Sequence, residues 1–183
     1  APDVRVRDIA NRADAARLRL ADDDQRAEVF LFHHCLNAFD AAGDAYVTDS
    51  MQATIWKVAA GGGTPQIWFQ SQKFASPYIG VNGLRIDPTG TNAYVSVTTD
   101  MLASSYIYTL PLVAAPQASD LKVFKKFAVG EAADGFAFGA TGDLYGTLAL
   151  PTTSGFVVLG PDGVEKRRSV NALLSPTVPY DSP

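Results

Sequence analysis

One cysteine, two histidines and no long apolar run set the first limits on this 183-residue chain. Cys35 alone cannot form an internal disulfide, so stability does not rest on cross-links, and the residue reads as a small buried hydrophobe ahead of a nucleophile. No run reaches the 18 or more apolar residues of a membrane-spanning helix. Basic side chains are outnumbered 15 to 19, giving a formal charge of −4 and a pI near 5.0. That balance argues against a nucleic-acid or anionic-membrane partner, since both reward a basic surface, and leaves small neutral or cationic ligands open. His33 and His34 are adjacent, so on a strand they point to opposite faces and do not readily share one metal. No G-x-S-x-G elbow supports a serine triad. The Gly61–Gly63 triplet lacks the lysine and hydroxyl residue of a phosphate loop and reads as an inter-strand turn. No Asn-x-Ser/Thr acceptor occurs.

What is present is an ordinary globular composition, 47% apolar and 19% charged, with a length suited to one domain. Residues 1–28 mix six of the fifteen basic residues with seven acidic ones, as a solvated face does. Asn11 to Leu20 could form a short helix. Ala1 in place of methionine fits signal-peptide removal, and hence a secreted or periplasmic location, as well as simple renumbering.

From Glu28 onward, short β-rich runs alternate with Gly, Pro, Asp and Ser. EVFLF, AYVTD, TIWKV, QIWFQ, AYVSV, YIYTL, KVFKKF, DLYGTL and FVVLG read as nine strands of an all-β protein. Three stretches align by their turn glycines: 37–50 on Gly43, 82–97 on Gly90 and 134–148 on Gly142. In each, a tyrosine follows the glycine by three or four residues (Tyr46, Tyr94, Tyr145). A further strand pair follows each copy. Four strands per unit, recurring about every 50 residues, predict a β-propeller of blades roughly 29–75, 76–128 and 129–183. A β-sandwich would explain the strands but not the periodic turn. At this spacing the chain holds three to four blades of a six-bladed type. It is expected to be a fragment of a longer propeller, a chain with omitted segments, or a half-ring that closes by self-association.

Propellers aim the start of each innermost strand at a central channel. Five residues before Asp87 and before Gly139 stand Asn82 and Asp134, each followed by glycine. An amide oxygen and a carboxylate at one channel end make a hard-oxygen site suited to Ca²⁺ or another divalent ion. The plainer reading is that N-G and D-G are turn dipeptides. In the first copy the corresponding count reaches Cys35, and the channel-like Asn37 is only three residues back. Asn37 is a candidate substrate contact, as is Asp181, which lies 47 residues beyond Asp134.

N-G-L-x-x-D-P-x-G-x-x-x-Y-V, D-G-F-x-F-x-x-x-G-D-L-Y and the phrase NAFDAAGDAYVTDSMQATIWKV resemble the senescence marker protein/gluconolactonase family of six-bladed propellers, over roughly residues 36 to 183. NHL-type and strictosidine-synthase-like propellers share the outline. The resemblance implies divalent-metal-dependent hydrolysis of a small lactone or ester. Ca²⁺ is the first choice of metal, with Zn²⁺, Mn²⁺ or Mg²⁺ as alternatives. Asn82 resembles the metal-binding asparagine, and Asp134 the metal-binding aspartate that also acts as general base. The family's third ligand, a glutamate in an E-G-P-like motif, has no match here; Glu28 is the nearest glutamate and lacks the flanks. That departure keeps a second expectation in play, a non-catalytic propeller that binds a small molecule or protein at its channel face. A condensing enzyme of the strictosidine-synthase type would need a channel glutamate, and none is apparent.

Overall fold

A computed structural model describes residues 37–149 and 155–170, and these form three four-stranded antiparallel sheets. The first contains β1 (Asn37–Phe39), β2 (Ala45–Asp49), β3 (Thr54–Val58) and β4 (Gln66–Gln70). The second contains β5 (Val81–Ile86), β6 (Asn92–Val97), β7 (Tyr106–Pro111) and β8 (Lys122–Lys126). The third contains β9 (Ala133–Phe138), β10 (Leu144–Leu148), β11 (Gly155–Leu159) and β12 (Glu165–Val170). Each sheet is a simple meander in chain order. β5 packs against β1 and β2 on one side and against β9 on the other, so the first strands of the three sheets converge. No helix among the described residues is long and apolar enough to cross a membrane.

Eight of the nine strands expected from sequence coincide with β2–β4, β6–β8, β10 and β11, and EVFLF lies outside the described residues. The other four are the entering strand of each repeat and the second strand of the last pair, which the four-strand unit calls for although no single run names them. β12 (EKRRSV) escapes a hydrophobic pattern because it is an outermost strand whose residues 166–169 face water. β1 has three residues, too few to carry a pattern. β5 and β9 contain the Asn82-Gly83 and Asp134-Gly135 pairs, and here the turn-dipeptide reading is corrected, because both pairs lie within strands. The turns sit where the repeat places them. Gly43, Gly90 and Gly142 adopt φ of +87°, +72° and +79°, a left-handed conformation that glycine reaches without steric penalty.

Alternation along the strands gives every sheet two apolar faces, and each junction between sheets has its own core. Tyr46, Ile55, Trp68 and Phe69 of the first sheet pack with Leu84, Val95, Tyr108 and Leu110 of the second. Tyr46 meets Trp68 edge-on at 4.8 Å. On the second sheet's other face, Ile107 packs with Phe136, Leu144, Val157 and Leu159 of the third. There Tyr94 stands edge-on to both Phe124 and Phe138, at 5.0 and 4.9 Å. Such T-shaped pairs add about 0.5–1.5 kcal/mol beyond area burial. Trp56 lies on the opposite side of its sheet from Tyr46 and Ile55 and is half-buried.

Acid lability follows from the surface carboxylates. Lys57, at 2.8 Å, lowers the pKa of Asp44; Lys166, at 2.6 Å, lowers that of Asp143; and Arg168 lowers that of Glu165. For Asp87, burial acts upward, but hydrogen bonds from Asn92, Thr91 and Thr89 more than offset it. A carboxyl whose folded pKa is depressed contributes stability above its unfolded pKa, and loses it as pH falls through the folded one. The melting temperature is therefore expected to hold between about pH 7 and 5 and to drop below about pH 4, the range of ordinary carboxylates. Thermal melts across a pH series check this; a Tm constant down to pH 2.5 would refute it.

Candidate functional site

Two β-bulges build the site. In β5, Val81 pairs with Val97 and Leu84 with Val95, so Asn82 and Gly83 together oppose Ser96. In β9, Ala133 pairs with Leu148 and Phe136 with Gly146, so Asp134 and Gly135 together oppose Thr147. A bulge inserts one residue and re-aims side chains out of the regular alternation. The same bulge at the same place in successive sheets therefore turns Asn82 and Asp134 toward each other.

Hydroxyl groups lock these bulges across the sheet junctions. Thr48 Oγ1 of the first sheet donates to the carbonyl of Asn82 at 2.6 Å, and Ser96 Oγ of the second donates to the carbonyl of Asp134 at 2.7 Å. Ser96 Oγ also accepts from Gly83 N at 2.7 Å. Ser50 Oγ adds a bond to Val81 O at 2.5 Å, and Ala133 N donates to Ser105 Oγ at 2.8 Å. Every group involved is main chain on the receiving sheet, so the junction fixes the backbone from which the two polar side chains project.

The side chains themselves meet. Asn82 is 1% exposed; its amide nitrogen donates to Thr98 Oγ1 at 3.1 Å and to Asp134 Oδ1. Its amide oxygen is buried without a hydrogen-bond partner. An unsatisfied buried acceptor costs about 1–3 kcal/mol, so it marks a position where a donor or a cation would be welcome. Asp134 is half-buried, and its Oδ2 accepts no hydrogen bond from the described residues. An orphaned amide oxygen beside a carboxylate is a donor set that fits a hard divalent cation such as Ca²⁺, although it supplies two protein oxygens where such ions take six to eight. No group of three His, Cys, Asp or Glu able to hold a metal occurs among the described residues.

Of the other expected residues, Asn37 pairs with Val47, which puts it in register with Leu84 and Phe136 and two residues along from the Asn82 and Asp134 positions. Its carbonyl accepts a 3.4 Å bond from Arg85, whose guanidinium also bonds Leu84 O at 2.7 Å. Burial lowers the Arg85 pKa. Asp181, Glu28, His33, His34 and Cys35 lie outside the described residues. Sequence reasoning missed Thr48, Ser96 and Thr98. The first two had a signal, because each aligned copy has a hydroxyl residue two places after its tyrosine: Tyr46-Val47-Thr48, Tyr94-Val95-Ser96 and Tyr145-Gly146-Thr147.

Three convergent four-stranded meanders, joined face to face, with equivalent bulges on the innermost strands of the second and third, are successive blades. The chain is a partial β-propeller. Solved structures agree. It is similar to the PQQ-bound aldose sugar dehydrogenase of Streptomyces coelicolor, at 19% identity and a TM-score of 0.59 over 81% of this chain and 48% of that one. It is similar also to a chain of a nidogen/laminin complex, at 19% identity and a TM-score of 0.55 over 71% and 46%. A third likeness is to a protein provisionally described as a gluconolactonase, at 19% identity and a TM-score of 0.52 over 74% and 47%. At such identities the likeness concerns the fold. The chain spans about half the length of these structures. No family model and no curated protein matches it.

Gly83 is the tightest point of the site. A Cβ there would stand 2.6 Å from Asp134 O and 2.7 Å from Ser96 Oγ, so any side chain pushes two blades apart. Gly83→Ala is expected to lower unfolding free energy by about 1–3 kcal/mol, as overpacking does. Ser96→Ala, which strands a buried N–H and a carbonyl, should lose a similar amount. Urea denaturation midpoints measure both; wild-type midpoints would show that the blade junction does not depend on this contact.

Proposed function

We propose that this propeller is a divalent-metal-dependent hydrolase of a small lactone or ester, of the gluconolactonase type, with Asn82 and Asp134 as its metal-binding pair and Asp134 as general base. The observation that carries the proposal is the side-chain contact between equivalent bulge positions of adjacent blades, with the Asn82 amide oxygen buried and unpartnered. The motif resemblance, which led to the same two residues, and the likeness to a provisionally described gluconolactonase support it. A bound divalent cation would supply Lewis-acid polarisation of the carbonyl and lower the pKa of a coordinated water.

The chain's own residues do the rest. Thr98 holds the Asn82 amide by its nitrogen, leaving the oxygen as the donor atom. Asp134 presents one oxygen to Asn82 and keeps the other to accept a proton from the attacking water, within a partly enclosed site. Two protein ligands bind such an ion weakly, and that observation favours the second reading, a non-catalytic propeller that binds a small molecule or protein across the same channel end.

Ca²⁺ titration calorimetry and proton release from simple lactones, run on wild type, Asp134→Ala and Asn82→Leu, test the proposal. Both variants should bind Ca²⁺ at least 10-fold more weakly. Asp134→Ala should lose about 10²–10⁴-fold in hydrolysis, the range of a missing general base. Unchanged metal affinity and hydrolysis in Asp134→Ala would end the proposal, and metal binding without hydrolysis in the wild type would leave the binding module.

A further inference from the structure

Strand register sorts the exposed apolar residues by blade end. Val81 pairs with Val97, Val97 with Tyr106 and Tyr106 with Lys126, so the β4–β5, β6–β7 and β8–β9 connections lie at the end of the blades where β5 begins and Asn82 stands. The β2–β3 connection lies at the matching end of the first blade, where β1 begins. Of the seven large apolar side chains exposed in connections among the described residues, five are at this end: Met51, Tyr78, Met101, Leu102 and Val129, all at least 63% exposed. Connections project along the channel axis, so further blades around a ring leave them uncovered. The second blade, which carries Met101 and Leu102, already has a neighbour on each side.

Hydrogen bonds fix these loops and join them to the candidate site. Asp49 accepts from Met51 N and Gln52 N at 3.0 Å, and Asp100 accepts from Leu102 N and Ser104 N at 2.8 and 2.9 Å, so both carboxylates turn into their own loops. Ala53 and Ala103 close the two turns at φ of +53° and +57°, a left-handed backbone that residues with a Cβ seldom adopt. Ser50, beside Met51, bonds Val81 O. Thr98 N and Thr99 N donate to Gly80 O and Ile79 O at 3.0 and 2.9 Å, which ties the Met101–Leu102 loop to the segment carrying Tyr78. Thr98 Oγ1 in turn accepts from the Asn82 amide. Tyr78 stands four residues before Asn82, a span of at most about 14 Å.

Large apolar side chains held exposed on adjoining loops mark an interaction site. Here they border a polar one, so a single ligand can engage both, its carbonyl end at Asn82 and Asp134 and its chain across the loop tips. We propose that the rim formed by Met51, Tyr78, Met101 and Leu102 binds the apolar part of the ligand, and that the site takes a lactone or ester carrying a hydrocarbon chain. The inference rests on the reading of Asn82 and Asp134 as the ligand's polar end, and not on catalysis.

Binding and hydrolysis of γ-butyrolactone, γ-octalactone and γ-dodecalactone, measured separately with Ca²⁺ present, test it. A fully buried methylene is worth about fourfold in affinity, so even on an open rim γ-dodecalactone is expected to bind at least 10-fold more tightly than γ-butyrolactone. Met101→Ser combined with Leu102→Ser and Tyr78→Ser should flatten the series, with an unchanged far-UV circular dichroism spectrum because all three side chains are exposed. Val164→Ser, in the β11–β12 turn at the opposite end, should leave the series intact. A flat wild-type series, the result if another stretch of protein already covers the rim, would overturn the proposal, as would a graded series that survives the triple substitution. Binding to phosphatidylcholine vesicles that the triple substitution abolishes would make the rim a membrane surface and overturn it as well. Graded binding without hydrolysis would uphold the rim and end the hydrolase reading, and hydrolysis with a flat series would do the reverse.

Discussion

Two short hydrogen bonds hold the arrangement together: a hydroxyl of one blade donating to an inner-strand carbonyl of the next, Thr48 to Asn82 and Ser96 to Asp134. Hydrophobic packing between blades is strong but non-directional, and would tolerate small slides along the strands. A buried hydroxyl that reaches one specific carbonyl does not, because a slip of one residue leaves donor and acceptor unsatisfied. The contact therefore sets the register between sheets. It also lands on the two residues whose side chains form the candidate site, so the geometry of Asn82 and Asp134 is inherited from the blade junction.

The bulges explain how a regular repeat makes an irregular site. In an uninterrupted strand, Asn82 would alternate onto a sheet face and be covered by apolar neighbours. Two residues opposing one, at Asn82-Gly83 and again at Asp134-Gly135, release each polar side chain from that alternation. Gly83 is what lets the second and third blades approach closely enough for the meeting, since its missing side chain makes room for Asp134 O. The outcome is a nearly buried amide with one unsatisfied oxygen, an unfavourable arrangement that few buried polar groups of a native fold show.

Much of this was legible in the sequence. Strands with alternating aromatic and β-branched residues stood out, and Gly43, Gly90 and Gly142 fixed the period because positive φ singles out glycine at those turns. The inner strands were obscured by their own dipeptides. Asn-Gly and Asp-Gly signal turns locally, and only cross-strand pairing shows them to be bulges within β5 and β9. β12 was legible only as the second member of the pair after the third repeat, because an outer strand exposed to water needs no apolar alternation. The latch residues recur two places after each repeat's tyrosine, but their partners were not legible, since a Ser or Thr in a strand has many uses and the carbonyl it reaches lies 34 or 38 residues away.

A latch that grips only main-chain carbonyls is blind to the side chain it holds. Thr48 bonds a carbonyl that belongs to an asparagine, and Ser96 one that belongs to an aspartate, with nearly the same distance in each. A blade can therefore be copied within a gene and its channel residue changed without loosening the joint that carries it. Architecture of this kind separates assembly from chemistry, and lets a lineage explore new ligands one inner strand at a time.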